Sequence, residues 1–159
     1  MAGNRDNYQR GAHTVVDLKY HFVWKTKYSY KILGGDLGLR VRAVIREICA
    51  EHGMVVVQGN IRPDHIHLLV SAPTHLSPAK MAQLLKGKSS YRLQREFPDL
   101  RKRYWGQHLW GRGYFCSTVG AVTEEMIKEY IASQGEEDAA FQVWDDKTSG
   151  QETDGSSSV

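Results

Sequence analysis

Residues 54–71 read Met54-Val55-Val56-Val57-Gln58-Gly59-Asn60-Ile61-Arg62-Pro63-Asp64-His65-Ile66-His67-Leu68-Leu69-Val70-Ser71. Two runs rich in β-branched and aliphatic residues flank Arg62-Pro63-Asp64. There proline fixes φ, and the aspartate side chain can bond its own backbone, so the segment is a turn. The pattern predicts a strand over 54–61 folded back antiparallel onto a second strand over 65–71. Successive strand residues point to opposite faces, so His65 and His67 share one face and Ile66, Leu68 and Val70 the other. Two imidazoles side by side on an otherwise apolar strand form a bidentate seat for a metal ion. In an arbitrary protein the same spacing is more often a partly exposed polar pair, so a second feature must decide.

Upstream of the hairpin, VVDLKYHFVWK over 15–25 is rich in β-branched and aromatic residues and predicts a further strand. Gly34-Gly35 and the capping residue Asp36 open a helix whose Val41, Val44, Ile45, Ile48 and Cys49 make one apolar stripe, closed by His52-Gly53. Downstream, Ser77-Pro78 has the cap-then-proline signature of a second helix, carrying Met81, Leu84 and Leu85 toward Phe97-Pro98. A basic loop, Arg101-Lys102-Arg103, follows, then one or two glycine-interrupted strands within 108–118. Thr123-Glu124-Glu125-Met126 begins a third helix with a near capping box. The order β-α-β-β-α-β-α implies an α+β fold: a ferredoxin-like or RRM-like antiparallel sheet with packed helices and a C-terminal tyrosine-bearing helix.

The third helix supplies the deciding feature. Tyr130 and Gln134 are spaced i and i+4, hence on one helical face, where an amide can ligate an ion and a phenol can attack beside it. A tyrosine with its ordinary pKa of about 10 is a weak nucleophile at neutral pH. A metal ion beside a phosphate compensates by drawing charge from the non-bridging oxygens. The plainer alternative makes Tyr130 a core aromatic beside Met126 and Ile131.

Charge points the same way. Seven of the 18 acids but one of the 21 bases lie beyond Gln134, so residues 1–134 carry 20 bases against 11 acids. A basic body with an acidic tail suits a polyanionic partner such as nucleic acid. Lys86, Lys88, Arg92 and Arg95 on the second helix, with Arg101, Lys102 and Arg103, are candidates for backbone phosphates. Lys86-Gly87-Lys88-Ser89 ends like a phosphate-binding loop, but the required first glycine is Ala82 and the segment is helical in period. Tyr91, Tyr104, Trp105, Trp110, Tyr114 and Phe115 interleave with the cations. Exposed rings there would stack on unpaired bases, though the need for a sheet core predicts that most are buried. His13, His21, His52, His75 and His108 lack a partner at ligand spacing and read as structural.

The chain divides into a flexible leader over 1–14, one folded domain over 15–144 and a disordered acidic tail over 145–159. No apolar run is long enough to span a membrane, and Cys49 and Cys116 form no close-spaced pair, so reduced thiols and a cytoplasmic location are expected.

Together His65-Ile66-His67, Tyr20-His21-Phe22-Val23-Trp24-Lys25-Thr26-Lys27-Tyr28, Gly111-Arg112-Gly113-Tyr114-Phe115 and Glu129-Tyr130-Ile131-Ala132-Ser133-Gln134 resemble, in order, the single-tyrosine HUH transposases of small bacterial insertion sequences. The resemblance covers roughly residues 15–144, with no departure at the motif positions. It implies that Tyr130 attacks single-stranded DNA to give a 5′-phosphotyrosine, and that His65, His67 and Gln134 hold Mg²⁺ or Mn²⁺. It further implies DNA with hairpin ends as partner, and a homodimer whose active sites are completed in trans. Two alternatives remain. One is a non-catalytic or domesticated protein of this fold that binds DNA or RNA hairpins; the other is a replication initiator or relaxase, which usually carries a third histidine and a differently placed tyrosine.

Overall fold

The computed structural model describes residues 8–11, 13, 15–103, 108–120 and 123–133. Gln134 and the expected acidic tail lie outside the described residues, as do Tyr104 and Trp105. In chain order the elements are β1 (Gln9–Arg10), β2 (Val15–Val16), β3 (Lys19–Lys25), α1 (Gly35–Glu51), β4 (Val55–Ile61), β5 (His65–Ser71), α2 (Pro78–Glu96), α3 (Pro98–Arg103), β6 (Phe115–Val119) and α4 (Glu124–Ala132). Strands β3 to β6 form one sheet in the order β4-β5-β3-β6, and each neighbouring pair is antiparallel. With α1 and α2 as the two crossovers, this is the ferredoxin-like layout that the element order implied.

Each face of the sheet has its own cover. Phe22 and Trp24 of β3 and Ile66, Leu68 and Val70 of β5 are buried against Val41, Val44, Ile45 and Ile48 of α1 and Met81, Leu85 and Leu93 of α2. The whole apolar stripe read from α1 therefore lies in this main core. On the opposite face a smaller cluster joins Val57, Leu69 and Val119 to Ile131 of α4, with Ile127 packed beside it. Burying a side chain of that size contributes about 1.5–3 kcal/mol, so the apolar hold on α4 is slight compared with that on α1 or α2.

The hairpin forms as expected, but β4 contains a register shift between Val56 and Gln58. Val56 lies opposite Val70 on the main-core side, whereas Gln58 lies opposite Leu69 and Asn60 opposite His67. The extra residue, Val57, inverts the alternation, so that Gln58 and Asn60 both face α4.

Several local expectations are corrected. The predicted strand over 15–25 divides into β2 and β3, with Asp17 and Leu18 between them. Helix α1 is capped by Gly34 without a side-chain bond, and Asp36 sits in the first turn, where its charge favours the helix dipole instead. The basic segment 101–103 is not a loop but the last turn of α3, where cations oppose the negative end of the dipole. Thr123 caps α4 in position only; its hydroxyl bonds Gly120 rather than a helix amide. The Ser77 cap does form, its Oγ accepting from the Lys80 amide at 3.1 Å. Within the expected leader, β1 pairs with β2, and Gln9 Nε2 donates to the carbonyls of Gly53 and Ser71. No helix among the described residues is long and apolar enough to cross a membrane.

Candidate active site

His65 and His67 project from β5, an interior strand paired on both edges, so the backbone spacing between them is fixed by two ladders. Their rings share the α4 face with centroids 5.0 Å apart. His65 Nδ1 lies 2.6 Å from Asp64 Oδ1. Burial works against the Asp64 carboxylate, but the hydrogen bond from His65, helped by the backbone amide of Asp64 and by Lys25, outweighs it and holds the carboxyl below its ordinary range. An ionised carboxylate only accepts, so Nδ1 of His65 carries the hydrogen and its Nε2 presents a lone pair.

His67 is 3% exposed, and burial, reinforced by the neighbouring His65, His21 and Arg62, lowers its pKa to about 4. It is a neutral imidazole at neutral pH, the form that ligates metals. Its Nδ1 faces Nε2 of His21 at 3.3 Å, and its own Nε2 is buried with no hydrogen-bond partner among the described residues. Buried polar nitrogens seldom go unpaired, and one beside a second imidazole lone pair fits a divalent ion. Among the described residues no group of three His, Cys, Asp or Glu assembles around a common point. The two imidazoles therefore have no acidic or thiolate companion there; the third expected ligand, Gln134, lies outside the described residues.

Tyr130 reaches this seat from above. Its ring centroid is 5.6 Å from that of His67 and 6.2 Å from that of His21, both edge-on, and the residue is 49% exposed. It is not the core aromatic of the plainer alternative, and Met126 is exposed as well; Ile131 is the apolar residue of α4 that is buried. Three contacts aim the helix. Gln58 Nε2 donates to the Lys128 carbonyl at 2.9 Å, and Asn60 Nδ2 to the Ile131 carbonyl at 2.8 Å. These carbonyls fall in the last turn or so of α4, where acceptors lack helical donors. At the other end, buried Lys19 pairs with Asp17 and lies 3.5 Å from the buried carboxylate of Glu124. All of these contacts lie within one chain.

The seven basic candidates separate by direction. Lys86, Arg95 and Arg101 line a cleft of about 800 Å³ together with Lys27, Arg112, Tyr28 and Tyr91. Lys88 and Arg92 turn instead toward α1: Lys88 Nζ donates to His52 Nε2 at 2.9 Å, and Arg92 grips both oxygens of Glu51 at 2.8 Å. Arg103 lies over the Tyr30 ring, and Lys102 is exposed at the end of α3. Because α2 packs on the main-core face, this cleft is on the far side of the sheet from the imidazoles. The expectation that most of the interleaved rings are buried is corrected. Of the four described, Trp110 is buried, while Tyr91, Tyr114 and Phe115 are exposed.

Sequence reasoning set His21 aside, yet it is 4% exposed and its ring stacks on that of His67, 18° from parallel. The available signal was parity: His21, Val23 and Lys25 share a face of β3, and the ferredoxin-like order makes β3 the neighbour of the imidazole strand.

Comparison with known proteins gives the family and the fold. The model of the family "Transposase IS200 like" matches residues 14–134. The ISDra2 transposase TnpA of Deinococcus radiodurans is 34% identical over 126 residues, which span 79% of this chain and 90% of that protein. The transposase for insertion sequence element IS200 of Salmonella typhimurium is 36% identical over 127 residues, spanning 80% and 83% respectively. A solved transposase structure from Deinococcus radiodurans superposes with a TM-score of 0.65 at 31% identity, covering 81% of this chain and 99% of that one. A REP-associated tyrosine transposase bound to a REP hairpin shares the fold at a TM-score of 0.56 and 10% identity, over 78% and 70%. With the family model spanning the sheet, the paired imidazoles and α4 to its end, this chain belongs to the IS200-like transposase family.

Proposed function

We propose that this transposase cleaves and rejoins single-stranded DNA at insertion-sequence ends through Tyr130, with a divalent ion, Mg²⁺ or Mn²⁺, seated on His65 and His67. The observation that carries the reading is the half-exposed Tyr130 ring 5.6 Å from an imidazole whose buried Nε2 has no hydrogen-bond partner among the described residues. Tyr130 Oη attacks a backbone phosphorus, the P–O3′ bond breaks, and the products are a 5′-phosphotyrosine and a 3′-hydroxyl, which takes up the proton that the phenol gives to solvent. A second 3′-hydroxyl then attacks the phosphotyrosine, restores a phosphodiester and returns the phenol, so no nucleotide hydrolysis is required. When bound, the ion would withdraw charge from the non-bridging phosphate oxygens. His65 and His67 hold it, with Gln134 as the proposed third ligand.

The basic cleft with Tyr28 and Tyr91 is the proposed grip for the DNA ends: cations for phosphates and exposed rings for unpaired bases. The hairpin in the partner's role is supported by the fold shared with a transposase bound to a REP hairpin. A homodimer belongs to the same proposal, and an α4 exchanged between its subunits would stand over the other subunit's seat as it does here over that of its own chain.

The test is incubation of the protein with single strands of the DNA flanking its own gene, in Mn²⁺ or in chelator, followed by denaturing electrophoresis. A protein-linked product that requires metal and disappears in Tyr130→Phe, with DNA binding retained, is expected. A linked product that persists in Tyr130→Phe, or cleavage that survives chelation and replacement of both His65 and His67 by Ala, would overturn the reading.

A further inference from the structure

We infer that His21 is a positioning residue for the metal seat: it accepts the Nδ1 hydrogen of His67 and thereby fixes the tautomer whose Nε2 lone pair faces the ion. The inference rests on the proposed metal reading and deepens it. Both seat imidazoles have a partner at Nδ1, but the two partners differ in kind. For His65 the partner is the Asp64 carboxylate, which can only accept, so that tautomer is settled by charge. For His67 the partner is another neutral ring, His21 Nε2 at 3.3 Å, which can donate or accept.

Two assignments are therefore open to the pair, and burial distinguishes them. If His21 donated, His67 would carry its hydrogen on Nε2, a buried donor with no acceptor among the described residues. An orphaned buried donor is costly and would also block the ion. If His67 donates from Nδ1, the orphaned atom is a lone pair, and a cation satisfies it.

The surroundings hold His21 in this task. It is 4% exposed on β3, its ring lies nearly parallel to that of His67 with centroids 5.5 Å apart, and Phe115 closes its far side edge-on at 5.8 Å. The backbone register pairs His21 with Leu69 and His67 with Val23, so the two rings meet on the diagonal between strands. A diagonal neighbour roughly 7–8 Å away at the backbone is within reach of a ring but not of a short side chain. Asn in place of His21 would fall short, whereas Gln, one methylene longer, can bring an acceptor oxygen to Nδ1.

The test reads the tautomer directly. Long-range ¹H–¹⁵N correlation spectra of the metal-free protein with labelled histidine distinguish a protonated ring nitrogen from a bare one, with His67→Gln providing the assignment. The unaltered protein is expected to show His67 with hydrogen on Nδ1. Mn²⁺ binding, followed by electron paramagnetic resonance without DNA, is expected to weaken about 10–100-fold in His21→Phe and to recover in His21→Gln, the usual scale for loss of a partner behind a ligand. Hydrogen on Nε2 of His67 in the unaltered protein, or equal Mn²⁺ affinity in the unaltered protein and His21→Phe, overturns the role of His21 and leaves the seat standing. Absence of Mn²⁺ binding to the unaltered protein overturns the seat itself. Should His21→Phe fail to fold, the tautomer of the unaltered protein and the affinity of His21→Gln still decide.

Discussion

The side-chain amide of Asn60 donates a 2.8 Å hydrogen bond to the main-chain carbonyl of Ile131, one residue past Tyr130. Asn60 also stands opposite His67 in the β4–β5 ladder. A single buried side chain thus links the backbone position of the proposed attacker to that of the proposed ion seat. Asn60→Ala is expected to cost about 1 kcal/mol of stability, the net worth of one internal hydrogen bond. Its effect on DNA cleavage should be larger, roughly tenfold or more, because the substitution displaces α4 at the tyrosine. Urea denaturation alongside single-turnover cleavage checks this, and equal cleavage rates would mean that α4 is aimed by other contacts.

Buried Lys19 and Glu124, with the exposed Asp17 beside them, form a charge group at the other end of α4. Removing Lys19 takes the nearer of two cations from the buried Glu124 carboxylate, which keeps Lys128 at 3.9 Å, so Lys19→Met should destabilise the protein by about 1–3 kcal/mol. The double change Lys19→Met with Glu124→Gln should recover much of that stability, since the interior then holds no under-compensated carboxylate. Thermal unfolding of both variants measures the coupling; two independent, additive effects would show that the groups do not interact.

The low pKa of His67 makes metal-free stability depend on pH in a definite direction. Folded, the imidazole titrates at about 4 because of burial; unfolded, it titrates near 6.5. Between those values the unfolded chain binds the extra proton, so stability falls as pH drops from 6.5 toward 4 and is level in this respect above 6.5. Burial lowers the pKa of His21 as well and adds in the same sense. Urea midpoints measured across that window should have a shallower slope in His67→Gln. A slope unchanged by the substitution would assign the acid sensitivity elsewhere.

The basic residues should separate by salt dependence. Lys86→Ala, Arg95→Ala and Arg101→Ala each remove a cation from the cleft. Each should lower the slope of log affinity against log salt by about 0.7–0.9 for every phosphate that is no longer neutralised. Lys88→Ala and Arg92→Ala break pairs with α1 instead, and should leave that slope where it was. Fluorescence anisotropy with hairpin DNA at several salt concentrations distinguishes the two groups. Equal slope changes from both would place the DNA across α1 and α2 together.

What could be read from the sequence was what local period and local chemistry encode. The shared face of His65 and His67, the buried stripe of α1 and the Ser77 cap each follow from spacings of a few residues. The contact between His21 and His67 does not, because it spans 46 positions and depends on which strands become neighbours. Val55-Val56-Val57 offers three equivalent apolar residues, so nothing in it marks where the register of β4 shifts. Ring exposure was misread for a related reason: an aromatic-rich strand segment predicts core, but β6 is an edge strand and leaves Phe115 and Tyr114 open.

The added residue at Val57 makes the two sides of the sheet answer to one another. Ahead of it β4 keeps step with the aliphatic interior, and after it with the tyrosine helix, and Val57 itself lies in the small apolar cluster with Ile131. Deleting its codon would join Val56 to Gln58 as a regular ladder with both amides still opposite Leu69 and His67, so the loss would fall on the apolar seat of α4 and leave its tethers in place.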